Sequence, residues 1–182
     1  MNIAKFLIGF LSITVPLTFI AISAFSSGWF NLFENALSDL GHALNSDVAW
    51  IFNLGLASGG FLIVCFSAMF VREFDIGISM TLMIMGYFLT LIAVFDEIYG
   101  FIHFIVSAVF FITLLFFILV YTMKALHGGF MITVLVIIIF NISVWLIHLL
   151  YKIPRGVAIP ELLSILSSLP FYIHMVYKIS TQ

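Results

Sequence analysis

Asp39, His42, Glu97, His103, His148 and Glu161 are side chains that could move a proton or hold a metal ion in an otherwise apolar chain. Zinc takes three or four His, Cys, Asp or Glu ligands in a tetrahedral array. Asp39, His42, His103 and His148 are the candidate set. A zinc-bound water could then attack an ester or amide, with a carboxylate as general base. Asp39, Glu97 and His103 are the candidate catalytic groups. The spacing is weak support, because no His-Glu-x-x-His and no His-x-x-x-His pair occurs on any one helix. The ligands would have to come from three or four separate elements. His103 has two other readings: a general base in its own right, or a donor to a neighbouring helix. His127 and His174 lie toward the opposite side and are bystanders.

The densest polar run is Asn35-Ala36-Leu37-Ser38-Asp39-Leu40-Gly41-His42. In a short helical turn Asp39 and His42 would share a face; Ser38 or Asp39 could instead cap the turn. Alternatively, the run is a re-entrant or interfacial turn that holds the loop against a bundle. Ser38 lacks the flanking glycines of a nucleophile elbow, so a serine triad is a less specific reading than a metal site. Asn35, Ser38, Asn53 and Glu161 are candidate substrate contacts. Lys152 and Arg155, beside Pro154 and Gly156, could hold an anionic headgroup or could simply be solvated loop charges. Glu161 also has a structural reason, since an anion in a first helical turn suits the helix dipole.

These groups must be positioned by membrane helices. The chain has 182 residues, of which 64% are hydrophobic and 8% charged, with a mean hydropathy of +1.32. A soluble domain of this length cannot hide so much apolar surface, so the bilayer is its solvent. Six stretches reach the ~20 residues needed to span, at about 4–26, 48–71, 77–95, 100–123, 129–149 and 160–178. The expected fold is all-α, one six-helix transmembrane domain over residues 1–182, in the cell membrane. The first span resembles a signal peptide but is too long for its apolar core, and reads as a retained helix. Asn45, Ser46 or Asp47 should cap the second span and Pro160 should lie in the first turn of the sixth. Pro16 and Pro170 fall inside spans. A single cysteine, Cys65, excludes an intrachain disulfide. A net charge of -2 with no basic patch argues against nucleic acid. Membrane lipid is the expected partner, and protein partners are left open.

Basic residues give the orientation. With the N-terminus inside, Lys5, Arg72, Lys124 and Lys178 lie inside and Lys152 and Arg155 outside, which favours N-in, C-in. Most carboxylates, three of the histidines and all three tryptophans then fall toward the outer side. Trp29, Trp50 and Trp145 with Tyr99 and Tyr151 form an interfacial belt. Several spans carry polar residues inward from that end at helical spacing: Asn53 and Gly60; Tyr87, Thr90 and Glu97; His103 and Ser107; Asn141 and His148; Glu161, Ser164 and Ser168. Such residues in a bundle face other helices or a wet cavity. Together they predict an outward-opening polar pocket, although small polar residues also simply let helices pack closely.

The run Asn35-Ala36-Leu37-Ser38-Asp39-Leu40-Gly41 resembles the signature of a prokaryotic six-helix membrane family, domain of unknown function 998. Phe52-Asn53-Leu54-Gly55 is similar to that family, as is His103 followed by Ser107-Ala108 and Phe110-Phe111. A remoter similarity is to membrane proteins of the DRAM and FGF-receptor-activating-protein kind, in the Ser-Asp-x-Gly-like first loop and the early fourth-helix histidine. The resemblance implies six spans and directs attention to Asn35, Ser38, Asp39, Asn53 and His103. It implies no reaction. The functional expectation is therefore a protein that binds or hydrolyses a lipid or other amphiphile at an outward-facing pocket. The alternatives are a solute, cation or proton transport component and a non-enzymatic scaffold.

Overall fold

The computed structural model describes residues 2–126 and 128–182. His127 lies outside the described residues. The six spans are helices α1 (Ile3–Ser26), α2 (Ala49–Phe74), α3 (Ile76–Val94), α4 (Phe101–Ala125), α5 (Met131–Tyr151) and α6 (Ala158–Ser180), each long and apolar enough to cross a membrane. No strand occurs among the described residues. The termini meet, with Asn2 N donating to the Ser180 carbonyl at 2.6 Å. One face of the bundle, the terminal face, therefore carries both chain ends. The opposite face carries the α1–α2, α3–α4 and α5–α6 connections and is here called the cap face.

Side-chain caps start two of the six spans. Asn2 accepts from Ala4 N and Lys5 N to start α1, and Asp75 accepts from Ile78 N to start α3. These caps satisfy donors that have no partner in a first turn. Helix α2 departs from expectation. It begins at Ala49 after Val48, with no side-chain cap. Ser46 is instead drawn into the loop, where its hydroxyl donates to the Leu40 carbonyl at 2.7 Å. Pro160 lies in the first turn of α6 as expected, and Pro16 and Pro170 sit within α1 and α6. Helix α2 widens into a π turn over Ser67–Val71. There the Ser67 hydroxyl reaches the Ser79 carbonyl of α3 at 2.8 Å.

Small residues bring α1, α2 and α3 together. A Cβ on Gly59 would lie 2.5 Å from Pro16, and one on Gly60 would lie 2.5 Å from the Gly86 carbonyl. Close backbone approach of this kind is how helices associate where no hydrophobic force acts between them. Helix α4 packs on α3, and α6 closes the circle by touching both α4 and α1. Five helices thus form a ring. Helix α5 lies outside it, against α4 and α6, and exposes Ile132, Val136, Ile139 and Leu150 to the bilayer. The terminal-face half of the ring is filled by Phe66, Phe117, Tyr121, Met175 and Ile179, all essentially inaccessible. The cap-face half is not filled.

Candidate functional site

A cavity of about 100 Å³ occupies the centre of the ring, lined by α1, α2, α3, α4 and α6 and by the first loop. Its walls are apolar: Ile20, Phe52, Leu56, Leu89, Phe110 and Ile165 among others. It runs from Ser38 and Glu161 at the cap face to Ser12 and Tyr172 near mid-span. Eleven residues of α6 separate Glu161 from Tyr172, so it is ~16 Å deep at 1.5 Å per residue. Tyr172 closes its floor, with its hydroxyl 2.7 Å from Ser12 Oγ and its ring between those of Phe66 and Phe117 at 6.3 and 5.9 Å.

The first loop makes the roof. It contains a single 3-10 turn, Ser38–Gly41, and is strapped to the α5–α6 connection by two backbone hydrogen bonds. Gly156 N donates to the Phe33 carbonyl at 2.8 Å and Ala158 N to the Asn35 carbonyl at 3.0 Å. Gly156 sits so close that any Cβ there would run into the Asn35 backbone. Asn53 on α2 donates to the Gly41 carbonyl at 2.8 Å and anchors the far end of the turn.

Four carboxylates converge on this roof. Glu161 accepts from Leu37 N at 2.7 Å. Asp39 accepts from Ala36 N at 2.9 Å and from the Asn35 amide at 3.0 Å. Asp96 accepts from Ala43 N and Ile98 N, both at 3.0 Å. Glu97, in the 3-10 turn Glu97–Tyr99, takes a side-chain donor instead: the Ser38 hydroxyl, at 2.5 Å from Oε1. Burial, and then the neighbouring Asp39 and Asp96 carboxylates, push Glu97 up to about 7, against the Ser38 hydrogen bond that pulls it down. None of the four carboxylates pairs with a cation among the described residues. The ion pair that does occur, Lys124 with Asp75 at 3.7 Å, is on the terminal face.

The expected metal centre is not assembled. Among the described residues no three His, Cys, Asp or Glu side chains are placed to hold a metal ion. Asp39, His42, His103 and His148 are each held by nearer partners. Asp39 folds back on its own turn. His42 faces Leu44 N at 3.3 Å and the Asn45 amide at 3.0 Å within the loop. His103 Nδ1 donates to the Phe95 carbonyl at 2.8 Å, closing the end of α3 on α4, and its Nε2 faces Ser107 at 3.3 Å. His148 Nδ1 donates to the Pro154 carbonyl at 3.0 Å on the far side of the ring. The physical reason is backbone satisfaction: carbonyls freed where helices end outcompete a distant shared ligand.

Of the candidate catalytic residues, the structure brings Asp39 and Glu97 together at the roof and leaves His103 in a helix-end bond. Of the candidate substrate contacts, Ser38 and Glu161 line the cavity. Asn35 and Asn53 instead hold the loop. Lys152 and Arg155 are exposed on the α5–α6 connection, with Lys152 in the left-handed region at φ 54, and neither borders the cavity. The polar stripes divide in the same way. Ser107 and Ser168 face the cavity. Tyr87 points outward, more than half exposed, and Asn141 bonds Ser167 across the α5–α6 contact at 3.0 Å. Sequence reasoning missed the Ser38–Glu97 pair, because 59 residues separate its members. The dense run around Ser38 was the available signal.

Fold and composition define a six-helix integral membrane protein with a buried apolar cavity under an acidic roof. The chain matches, over residues 10–176, the family described as "Protein of unknown function (DUF998)", and it belongs to that family. No curated protein and no solved structure matches it.

Proposed function

We propose that the protein binds an amphiphile, with the apolar part in the ring cavity and the polar head beneath the first loop. The cavity itself carries this reading: its walls are mostly apolar, Ser38 and the Glu161 carboxylate stand at its cap-face end, and the paired Ser12 and Tyr172 hydroxyls close it at mid-span. Ligand sites are mostly apolar hollows with a few convergent polar groups at one place. Among the described residues the roof offers carboxylates and a hydroxyl and pairs none of them with a cation, so a head that donates hydrogen bonds or carries an amine fits better than a phosphate. Closure at Tyr172 favours binding over passage, because a transport path would have to cross the packed Phe66–Phe117–Tyr172 layer. Access from the bilayer has a route. Ile13 and Leu169 border both the cavity and an outer groove lined by Phe6, Phe10, Leu166 and Pro170, so the α1–α6 seam separates the cavity from lipid by one layer of side chains.

The test is binding of a fluorescent dodecylamine to purified protein in nanodiscs, with dodecanol and dodecyl phosphate as competitors. Dodecylamine and dodecanol should compete better than the phosphate. Leu56→Trp, which fills the cavity, should abolish saturable binding. No saturable binding of any of the three would overturn the proposal.

A further inference from the structure

We propose that Ser38 is the nucleophile and Glu97 the general base of a hydrolytic centre that cleaves an ester or amide in an amphiphile whose chain lies in the cavity. The inference rests on the amphiphile reading above and goes beyond it in assigning a reaction.

Three observations carry it. First, nucleophile and base are already in contact, the Ser38 hydroxyl donating to Glu97 Oε1 at 2.5 Å. A hydroxyl within hydrogen-bond reach of a base that is itself positioned by a third group is the recurring arrangement of activated nucleophiles. Here the third group is Asp96, which accepts from Ile98 N at 3.0 Å and fixes the 3-10 turn that carries Glu97.

Second, the four roof carboxylates divide by partner. Asp39, Asp96 and Glu161 each accept backbone N–H groups of loop residues. A loop lying over an apolar cavity must satisfy its N–H groups, so these three have a complete structural explanation. Glu97 does not. Its partner is the Ser38 hydroxyl, and a hydroxyl is what a general base deprotonates.

Third, Ser38 both borders the cavity and touches Glu97. A chain filling the apolar slot would present its first polar carbon at the roof, beside the Ser38 hydroxyl. Ser107 also borders the cavity, and its hydroxyl could turn from His103 Nε2 to donate to a developing oxyanion.

The chemistry balances without any redox partner. Ser38 Oγ bonds to the carbonyl carbon as its proton passes to Glu97. The tetrahedral adduct collapses, the bond to the leaving alcohol or amine breaks, and the leaving group takes the proton from Glu97. Water then attacks the acyl–Ser38 ester and gives its proton to Glu97, which returns it to Ser38 Oγ as the acid leaves. The net change is ester or amide plus water to acid plus alcohol or amine. A base that titrates near neutrality suits this role. The charged and titratable groups around Glu97 are Asp39 and Asp96 beside it, Glu161 across the roof on α6 and His103 on α4 at the Phe95 carbonyl.

The experiment uses the full chain in nanodiscs and a decyl fluorophosphonate, with the adduct located by peptide mass spectrometry. Ser38 should be modified in the wild type, at a rate that rises with pH through about 7. Glu97→Gln should slow modification by ~100-fold or more, within the usual contribution of a general base. A decanoyl p-nitrophenyl ester should turn over faster than the acetyl ester. Dodecylamine binding is measured on the same samples. Binding with Ser38 unmodified between pH 5 and 9, or equal modification in Glu97→Gln, overturns the hydrolytic assignment alone. Loss of binding in the wild type overturns the amphiphile reading. Mapping the adduct on the wild type keeps the result decisive even where Ser38→Ala fails to fold.

Discussion

Gly156→Ala tests whether the roof is held from the α5–α6 connection. The added Cβ would overlap the Asn35 backbone, and backbone cannot rotate away as a side chain can. The two strands of chain must therefore part. Parting them breaks Gly156 N to Phe33 O and Ala158 N to Asn35 O. Each such bond contributes a net ~0.5–1.5 kcal/mol. Relieving the overlap costs a further ~1–3 kcal/mol by analogy with overpacked cores. The expected loss is about 2–6 kcal/mol, concentrated in the roof because the contact takes in only the α5–α6 connection and the first residue of α6. Two readouts separate a local from a global effect. Thermal or SDS unfolding of the purified protein should show a lowered midpoint. Hydrogen exchange should show Leu37 N, which donates to Glu161 at 2.7 Å in the intact roof, exchanging far faster, with the α1–α2–α3 amides unchanged. Gly129→Ala is the control, since nothing lies within 4 Å of a Cβ there. If Gly156→Ala unfolds and exchanges like the wild type, the strap does not hold the roof and the positioning argument for Ser38 fails with it.

Other substitutions probe the remaining parts. Glu97 holds its proton up to about pH 7 in the folded protein against 4.5 for the free side chain. Its contribution to stability is therefore full below pH 4.5 and is lost as pH rises toward 7. In Glu97→Gln the midpoint should lose that component of its pH dependence, and an unchanged pH profile would refute the burial of this carboxyl. Asn53→Leu removes the bond to the Gly41 carbonyl and should lower stability by about 1 kcal/mol, with a double-mutant cycle against Gly156→Ala showing coupling through the shared loop. Leu169→Trp, at the α1–α6 seam, should slow dodecylamine association in stopped-flow more than it changes the equilibrium affinity. An unaltered rate would place the access route elsewhere.

The spans were legible because hydrocarbon leaves a chain few choices. Runs of about twenty apolar residues have to be helices, and the expected limits fall within a few residues of those found. The six-helix expectation is met. The helix-two cap was misread because Asn45, Ser46 and Asp47 look alike in sequence. Only the folded loop shows that the Ser46 hydroxyl is engaged by Leu40 O. The polar end was legible as a region but not as a set of contacts. His103, His148 and Asp39 are near one face in any six-helix arrangement, yet each answers to a helix end or a turn of its own. Which carboxylate meets which donor depends on the path of a loop anchored by Gly156, and no periodicity encodes that path. The outward bearing of Tyr87 and the placement of α5 outside the ring were illegible for a related reason. In a bilayer, apolar faces toward lipid and toward protein have the same composition.

The cavity is the feature that packing alone does not account for. Interiors pack to the density of organic crystals, and voids larger than a water are few. At ~24 cal/mol per Å³ an unfilled volume of this size costs about 2.4 kcal/mol, a large part of an ordinary stability. The ring is filled elsewhere: Phe66, Phe117, Tyr121 and Met175 are essentially inaccessible in its terminal-face half. Replacing Ser107 or Ser168 with leucine would be the simple remedy in the other half, since both line the space. Water is a poor occupant, because the walls between roof and floor offer it few partners. An apolar chain recovers the missing contacts, and by mass action it stabilises the ring in proportion to the logarithm of its concentration. On the amphiphile reading proposed above, a lipid chain fills the hollow at no penalty in a membrane, and its polar end would lie beside the Ser38–Glu97 pair.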